Sequence, residues 1–436
     1  MLSIICALLI FIIGVFLYKR RPFIYVSYTW WVWFLAPELR RIVDYQSGHY
    51  SSTSPIMLAP YLVTAMTFLN LRKFPRGLSL QYVIPFFLCI LGLVYSFLVG
   101  VVNTSPSAAL FALLNWLVPI IFSFHLFAAW RSYPRYCQVI QNTFLWGVLV
   151  MGIYGVLQFV VAPPWDQFWM INSGMGSIGA PAPFEIRIFS TLNSPGPFAG
   201  VLASGLLLLF TVQGPIKFTA AGVGYLSFLL SMVRSAWVTW MISLLIFATF
   251  MKLRFQFRLL LTILLIGLLV LPLANMDPFA DIINTRLNSL SDIQNDTSFN
   301  ERAERYADFI TTSLLNPLGA GLGVTGLAAN KLASGSGGVL GNDSRLVDLD
   351  SGVLDILLSL GWLGGLPYLW GLIWLVVYSL REREKGVDLF ADVSRSIALG
   401  GLVGLIGGNS LVQLGGMVTW SFLGMSLAAC QYHRQK

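Results

Sequence analysis

Charge is what this chain of 436 residues has least of: 11% of its residues are charged, against about 25% in a typical soluble domain. With 56% hydrophobic residues and a mean hydropathy of +0.75, that scarcity excludes an ordinary soluble enzyme and a disordered chain. Cysteine is sparse as well. Cys6, Cys89, Cys137 and Cys430 all lie in or beside apolar runs, and no two stand at a metal-ligand spacing. They read as small packing residues, and a disulfide scaffold is excluded. The three histidines, His49, His125 and His433, are too scattered for a zinc site. Alternating hydrophobicity is missing too, which argues against a pore-type β-barrel. No internal repeat of fixed period is visible, which disfavours inverted-repeat transporter folds.

What is present is a succession of long apolar runs, the mark of an all-α polytopic membrane protein with about 12–13 transmembrane helices. The runs predict spans near 2–18, 22–37, 55–71, 82–102, 108–130, 139–161, 196–213, 218–232, 235–251, 258–274, 353–380, 396–411 and 414–431. The last two share a Gly-rich hinge around Gly407, Gly408, Gly415 and Gly416. Three regions follow: residues 1–274 with ten spans and an outer loop at 162–195, a large outer loop at 275–352, and the C-terminal spans at 353–436. The first run lacks a basic segment before it and carries its charges after it, so it is expected to be an uncleaved anchor.

Basic residues orient the chain. One set of loops holds 18 of them and the other set 9, while the acids divide the opposite way. By the positive-inside rule the first set is cytoplasmic, the N-terminus outside and the C-terminus inside.

The large outer loop contains one amphipathic stretch, 298–315. Ser298 and Glu301 form a capping box, and Phe299, Ala303, Tyr306, Ala307, Ile310 and Leu314 share a face at helical spacing. The stretch is either a structural brace at the interface or a groove wall with Arg302 and Arg305 on its polar side. Gly321, Gly323 and Gly326 spell GxGxxG, but no strand precedes them and no βαβ unit surrounds them, so a dinucleotide site is rejected. A Gly-rich turn and an anion-binding nest of backbone N–H groups both stay open. Residues 327–347, rich in Gly, Ser, Asn and Ala, read as a flexible cover. Asp350 and Ser351 stand directly before the next span, where either could cap a helix. Asp343, Asp348 and Asp350 fit no cation-binding loop motif.

Arginines mark the outer membrane edge. Arg234 lies between two apolar runs, where a guanidinium is costly unless paired, snorkelled or functional. Arg187 precedes another span in Glu185-Ile186-Arg187-Ile188-Phe189-Ser190-Thr191-Leu192-Asn193. Each could pair with an outer acid, or several could converge on a diphosphate, whose oxygens guanidinium forks bind bidentately. Ionisable residues are almost absent from the middle of the spans, which argues against a proton- or voltage-driven transporter.

Three stretches resemble the O-antigen ligase and O-antigen polymerase superfamily: Arg187 with Phe189 through Pro195, Val233-Arg234-Ser235-Ala236, and Glu301-Arg302 followed by Asn316-Pro317-Leu318-Gly319-Ala320-Gly321-Leu322-Gly323. Leu357 through Gly365 resembles the Gly-rich end of the span that follows. The resemblance implies a metal-independent membrane glycosyltransferase without a cofactor. Its partners would be an undecaprenyl-diphosphate-linked glycan, the bilayer and other polysaccharide-assembly proteins, with no nucleic acid. It implies that Arg187, Arg234, Arg302, Arg305 and Asn193 hold the carrier diphosphate and its glycan. Ligases of the superfamily carry a histidine just before the span after the large loop, and here Asp350-Ser351 occupies that place. The expectation is therefore a polymerase of O-antigen or exopolysaccharide repeats, with Asp350 and Arg234 as catalytic residues. A ligase, a bicarbonate-type transporter and a non-catalytic scaffold are the alternatives.

Overall fold

The structure is a computed structural model, and it describes residues 2–70, 80–250, 316–325, 351–381 and 388–435. The expected span at 258–274, the amphipathic stretch 298–315 with Arg302 and Arg305, and Asp350 lie outside the described residues. Among the described residues the secondary structure is helical, with one isolated antiparallel bridge between Gly179 and Ile186.

Thirteen helices carry the described fold. They are α1 (Leu2–Arg20), α2 (Pro22–Ser47), α3 (Ala59–Ala65), α4 (Leu80–Asn103), α5 (Pro106–Ala128), α6 (Tyr133–Val161), α7 (Pro164–Ser173), α8 (Pro195–Leu208), α9 (Ile216–Leu230), α10 (Arg234–Phe250), α11 (Gly361–Arg381), α12 (Leu389–Gly404) and α13 (Gln413–Arg434). Ahead of α11 come one helical turn, Gly352–Asp355, and a π-turn, Ile356–Leu360. Five described segments are long and apolar enough to cross a membrane: Leu2–Arg20, Leu80–Asn103, Pro106–Ala128, Trp130–Val161 and Gly352–Arg381. Four shorter apolar helices accompany them. The protein is an all-α polytopic membrane protein.

The helices differ from the apolar runs in two places that matter. The run expected at 22–37 continues as helix to Ser47, and its added turns bury Glu38, Arg40, Arg41 and Asp44. The outer loop at 162–195 opens with α7, whose Pro164 and Asp166 stand in its first turn. Proline is pre-set for that position, and an acid there opposes the positive end of the helix dipole.

Two large apolar clusters hold the bundle. One joins α2, α6, α8 and α13 through Trp30, Phe34, Phe144, Phe198 and Phe422; the other joins α4, α5, α11 and α13 through Phe86, Phe127, Tyr368 and Trp420. By contrast α1 exposes Leu9, Ile12 and Phe16, an apolar face suited to lipid rather than water. At one end of the bundle lie Arg187, Arg234 and the start of the Gly352 turn; the other end carries the ion pairs of Asp392 with Arg395 and of Asp388 with His433.

Candidate functional site

Arg187 sits in an irregular stretch between α7 and α8. Its backbone N–H donates to the Ile178 carbonyl at 3.0 Å, and Ile188 N–H donates to Leu230 at the end of α9. The guanidinium donates to the carbonyls of Ser177, at 2.8 Å, and Met232, at 3.0 Å. Met232 lies two residues before Arg234, in the tight turn that separates α9 from α10, and takes a left-handed φ of 54°. A non-glycine residue held there is strained, and such strain gathers at functional sites. The 185–193 stretch and the Val233-Arg234 stretch, distant in sequence, therefore meet at one point. Arg234 opens α10 half-buried.

From Arg234 the contacts continue in one direction. A Cβ at Gly407 would lie 3.3 Å from the Ser235 Cβ, and one at Gly352 would lie 2.9 Å from the Asn409 Cα. Asn409, in the break between α12 and α13, donates through Nδ2 to Asp355 Oδ2 at 2.5 Å. The hydroxyls of Thr325 and Ser359 each donate to Asp355 Oδ1 at 2.8 Å. Arg187, Met232, Ser235, Gly407, Asn409, Asp355 and Thr325 thus form a continuous row across one end of the bundle.

Thr325 reaches that row because residues 316–325 run back into the bundle. The N–H groups of Ala320 and Gly321 donate to the carbonyls of Leu358 and Ser359, and that of Leu322 donates to Ser96 on α4. Gly319 and Gly321 have φ of 74° and 89°, which glycine adopts without strain. A Cβ at Gly321 would lie 2.3 Å from the Gly100 nitrogen, so no larger residue fits between this strip and α4. These donors are committed to the bundle. The engaged N–H groups of Ala320, Gly321 and Leu322 belong to a packed Gly-rich turn.

A second polar cluster supports the arginine stretch from below. Arg41, fully buried at the end of α2, pairs with Glu38 on its own helix and with Asp166 of α7 at 2.9 Å. It also donates to the carbonyls of Ser190 and Leu192. Tyr154 donates to Glu38 at 2.6 Å, with Asp166 at 2.9 Å. Gln158 donates to Asp166 at 2.8 Å and accepts from the N–H groups of Phe189 and Ser190. Burial pushes the Asp166 carboxyl above the ordinary carboxylate range; Arg41 opposes that rise and Glu38 adds to it. The cluster fixes residues 189–192, between Arg187 and Asn193. Asn193 is half-buried, and among the described residues its Oδ1 accepts no hydrogen bond.

Residues 218–369 match the family model described as O-antigen ligase. This stretch is an O-antigen ligase-family domain. The family is one of membrane glycosyltransferases, and the match, over about a third of the chain, supports an enzyme of glycosyl transfer acting on lipid-linked glycans. No curated protein matches the chain, and no solved structure does. The ligase-family domain contains Arg234, Thr325 and Asp355; Arg187, Asn193, Asn409 and the Arg41 cluster lie outside it.

Of the residues expected from the sequence, the structure brings Arg187 to the turn that carries Arg234. Arg302, Arg305 and Asp350 lie outside the described residues. Sequence reasoning passed over Asp355, although an acid inside a span of the ligase-family domain was a visible signal. It also passed over Arg41 with its two acids, whose pairing joins positions far apart in the chain. Among the described residues no group of three His, Cys, Asp or Glu could hold a metal ion.

Proposed function

We propose that this protein is a polymerase-type glycosyltransferase that joins undecaprenyl-diphosphate-linked glycan repeats at the outer face of the bacterial inner membrane. The observation that carries the reading is the meeting of Arg187 with the Met232–Arg234 turn inside a helical membrane bundle. Two guanidinium groups at one membrane edge suit a diphosphate, because they stay charged and offer paired donors. Arg187 and Arg234, joined by Arg302 and Arg305, neutralise the diphosphate as it leaves, and Asn193 contacts the glycan. Fixed positive charge placed where negative charge develops lowers the barrier without needing a metal ion. The acceptor hydroxyl oxygen bonds to the anomeric carbon as the carbon–oxygen bond to the diphosphate breaks. The diphosphate keeps the electron pair, and Asp350 takes the hydroxyl proton as general base. The N-terminus and residues 275–352 lie on the outer, periplasmic side of that membrane and the C-terminus in the cytoplasm, as the distribution of basic residues supports.

Transfer of the glycan to a lipid acceptor is the second reading, favoured by the family model that residues 218–369 match. The product separates the two: glycan of increasing length for a polymerase, one glycan per lipid acceptor for a ligase.

Arg234→Ala should abolish product while the protein still accumulates in the membrane, and Arg234→Lys should restore only part of it, since a point charge lacks the guanidinium fork. Wild-type product from the Ala variant would remove Arg234 from the reaction. A reporter fused at residue 335 that signals from the cytoplasm would overturn the orientation.

A further inference from the structure

Asp355 is buried, at 9% exposure, within the membrane-spanning segment Gly352–Arg381. Among the described residues no cation pairs with it; every ion pair found there involves other acids. Its three partners are neutral: the hydroxyls of Thr325 and Ser359 on Oδ1 and the Asn409 amide on Oδ2. Burying a carboxyl group in such surroundings is costly, and an ionisable group inside a span is a functional candidate for that reason. The π-turn Ile356–Leu360 follows it at once, and such turns recur at functional sites.

The hydrogen bonding gives Asp355 a definite effect. A threonine hydroxyl has one proton and two lone pairs. Thr325 commits its proton to the carboxylate, so its oxygen keeps only accepting capacity toward anything else. Ser359 Oγ, 3.3 Å from Thr325 Oγ1, commits its proton to the same carboxylate oxygen. Thr325 is half-buried, whereas Ser359 is buried, so Thr325 is the member of the pair with an outward side. It stands at the end of the row that begins with Arg187 and Arg234.

The geometry points to Asp355 as a positioning residue that fixes Thr325 as a hydrogen-bond acceptor for a hydroxyl of the incoming acceptor sugar other than the one that attacks. The inference rests on the glycosyl-transfer reading above and adds to it the acceptor side of the site. Asp355 acts through Thr325, and Thr325 makes the contact. Held at Thr325 Oγ1 by this neighbouring hydroxyl, the acceptor sugar keeps a fixed orientation, and the proton of its attacking hydroxyl stays available to the general base. Asp355→Asn is nearly the same size but can present its NH2 to Thr325, which turns the threonine hydroxyl into a donor and reverses the contact.

The test uses the full chain in nanodiscs, with undecaprenyl diphosphate alone as the binding probe, beside product analysis in cells that carry the native glycan. Thr325→Val should bind undecaprenyl diphosphate as the wild type does and cut product about tenfold, the loss of roughly one hydrogen bond in the transition state. Thr325→Ser should restore most of it. Asp355→Asn should match the Val variant, with unchanged carrier binding. Wild-type product from Thr325→Val overturns the proposal. So does a Val variant that loses carrier affinity together with product, which would move Thr325 to the diphosphate side. If Asp355→Asn fails to accumulate, the Val and Ser pair at Thr325 decides alone. Failure of the wild type itself to bind undecaprenyl diphosphate would instead count against the glycosyltransferase reading.

Discussion

Two buried carboxylate centres stand at the same end of the bundle, and they are built differently. Under the Arg187 stretch, Glu38 and Asp166 share the fully buried guanidinium of Arg41. Before α11, Asp355 has two hydroxyls and an amide, with no cation among the described residues. The first centre supplies its own counter-charge and uses the remaining donors of Arg41 to pin two backbone carbonyls. That is how a protein holds a loop in place. The second has no cation beside its carboxyl among the described residues, and its donors come from three separate segments: the Gly-rich strip, the π-turn and the break before α13. A carboxyl group buried without a cation beside it is better explained by work on a substrate than by stability. The positions agree, since Asp355 lies inside the ligase-family domain and the Arg41 cluster outside it.

The sharpest way to break the comparison is to remove the guanidinium. Arg41→Ala leaves two carboxylates and two carbonyls buried without their main donor, and breaking a buried pair in this way costs about 3–5 kcal/mol. The variant should fail to accumulate in the membrane fraction or should melt far below the wild type in detergent. Arg41→Lys should recover little, because one ammonium cannot reach both acids and both carbonyls. An Ala variant that accumulates and melts like the wild type would show that the cluster does not hold the loop.

Gly321→Ala tests the other centre with a smaller expected effect. Its φ of 89° is strained for alanine, and its Cβ would press on the Gly100 nitrogen. The strip must shift, at a cost on the order of 1–3 kcal/mol, and Thr325 moves with it. Product should fall more than the melting temperature suggests, while binding of undecaprenyl diphosphate at the arginines persists. Equal loss of product and of carrier binding would mean that the strip and the arginines form one rigid unit.

These two centres also mark where the sequence is legible. Apolar runs located the described helices other than α7, because burial in a membrane bundle leaves a compositional trace. The Arg187 and Arg234 stretches were legible as well, since an arginine beside a span stands out against its neighbours. The last turns of α2 were not, because Glu38, Arg40, Arg41 and Asp44 break the run; their burial depends on partners such as Asp166 and Ser190 that lie far along the chain. Helix α7 is short and aromatic, and only its Pro164 and Asp166 announce it. Asp355 was visible as an acid in an apolar run, but its partners Thr325 and Asn409 could be found only in three dimensions.

The smallest effect is the most discriminating for the Arg41 centre. Burial raises the Asp166 carboxyl above its ordinary range. In the unfolded chain that carboxyl ionises at about pH 4, whereas in the folded protein it keeps its proton to a higher pH. Between those two points the folded state binds more protons, so stability falls as pH rises across the window. Asp166→Asn has no proton to release there. At the acid edge, where Asp166 is protonated in both states, the Asn variant should melt close to the wild type. As pH rises toward neutrality the wild type should lose stability relative to the variant, measured as melting temperature in detergent at a series of mildly acidic pH values. The opposite slope, with the wild type gaining on Asp166→Asn as pH rises, would mean that Arg41 outweighs burial and that Asp166 is an ordinary ionised partner. In that case two ionised acids share one guanidinium, so this centre also keeps a net negative charge, and the contrast with Asp355 becomes narrower.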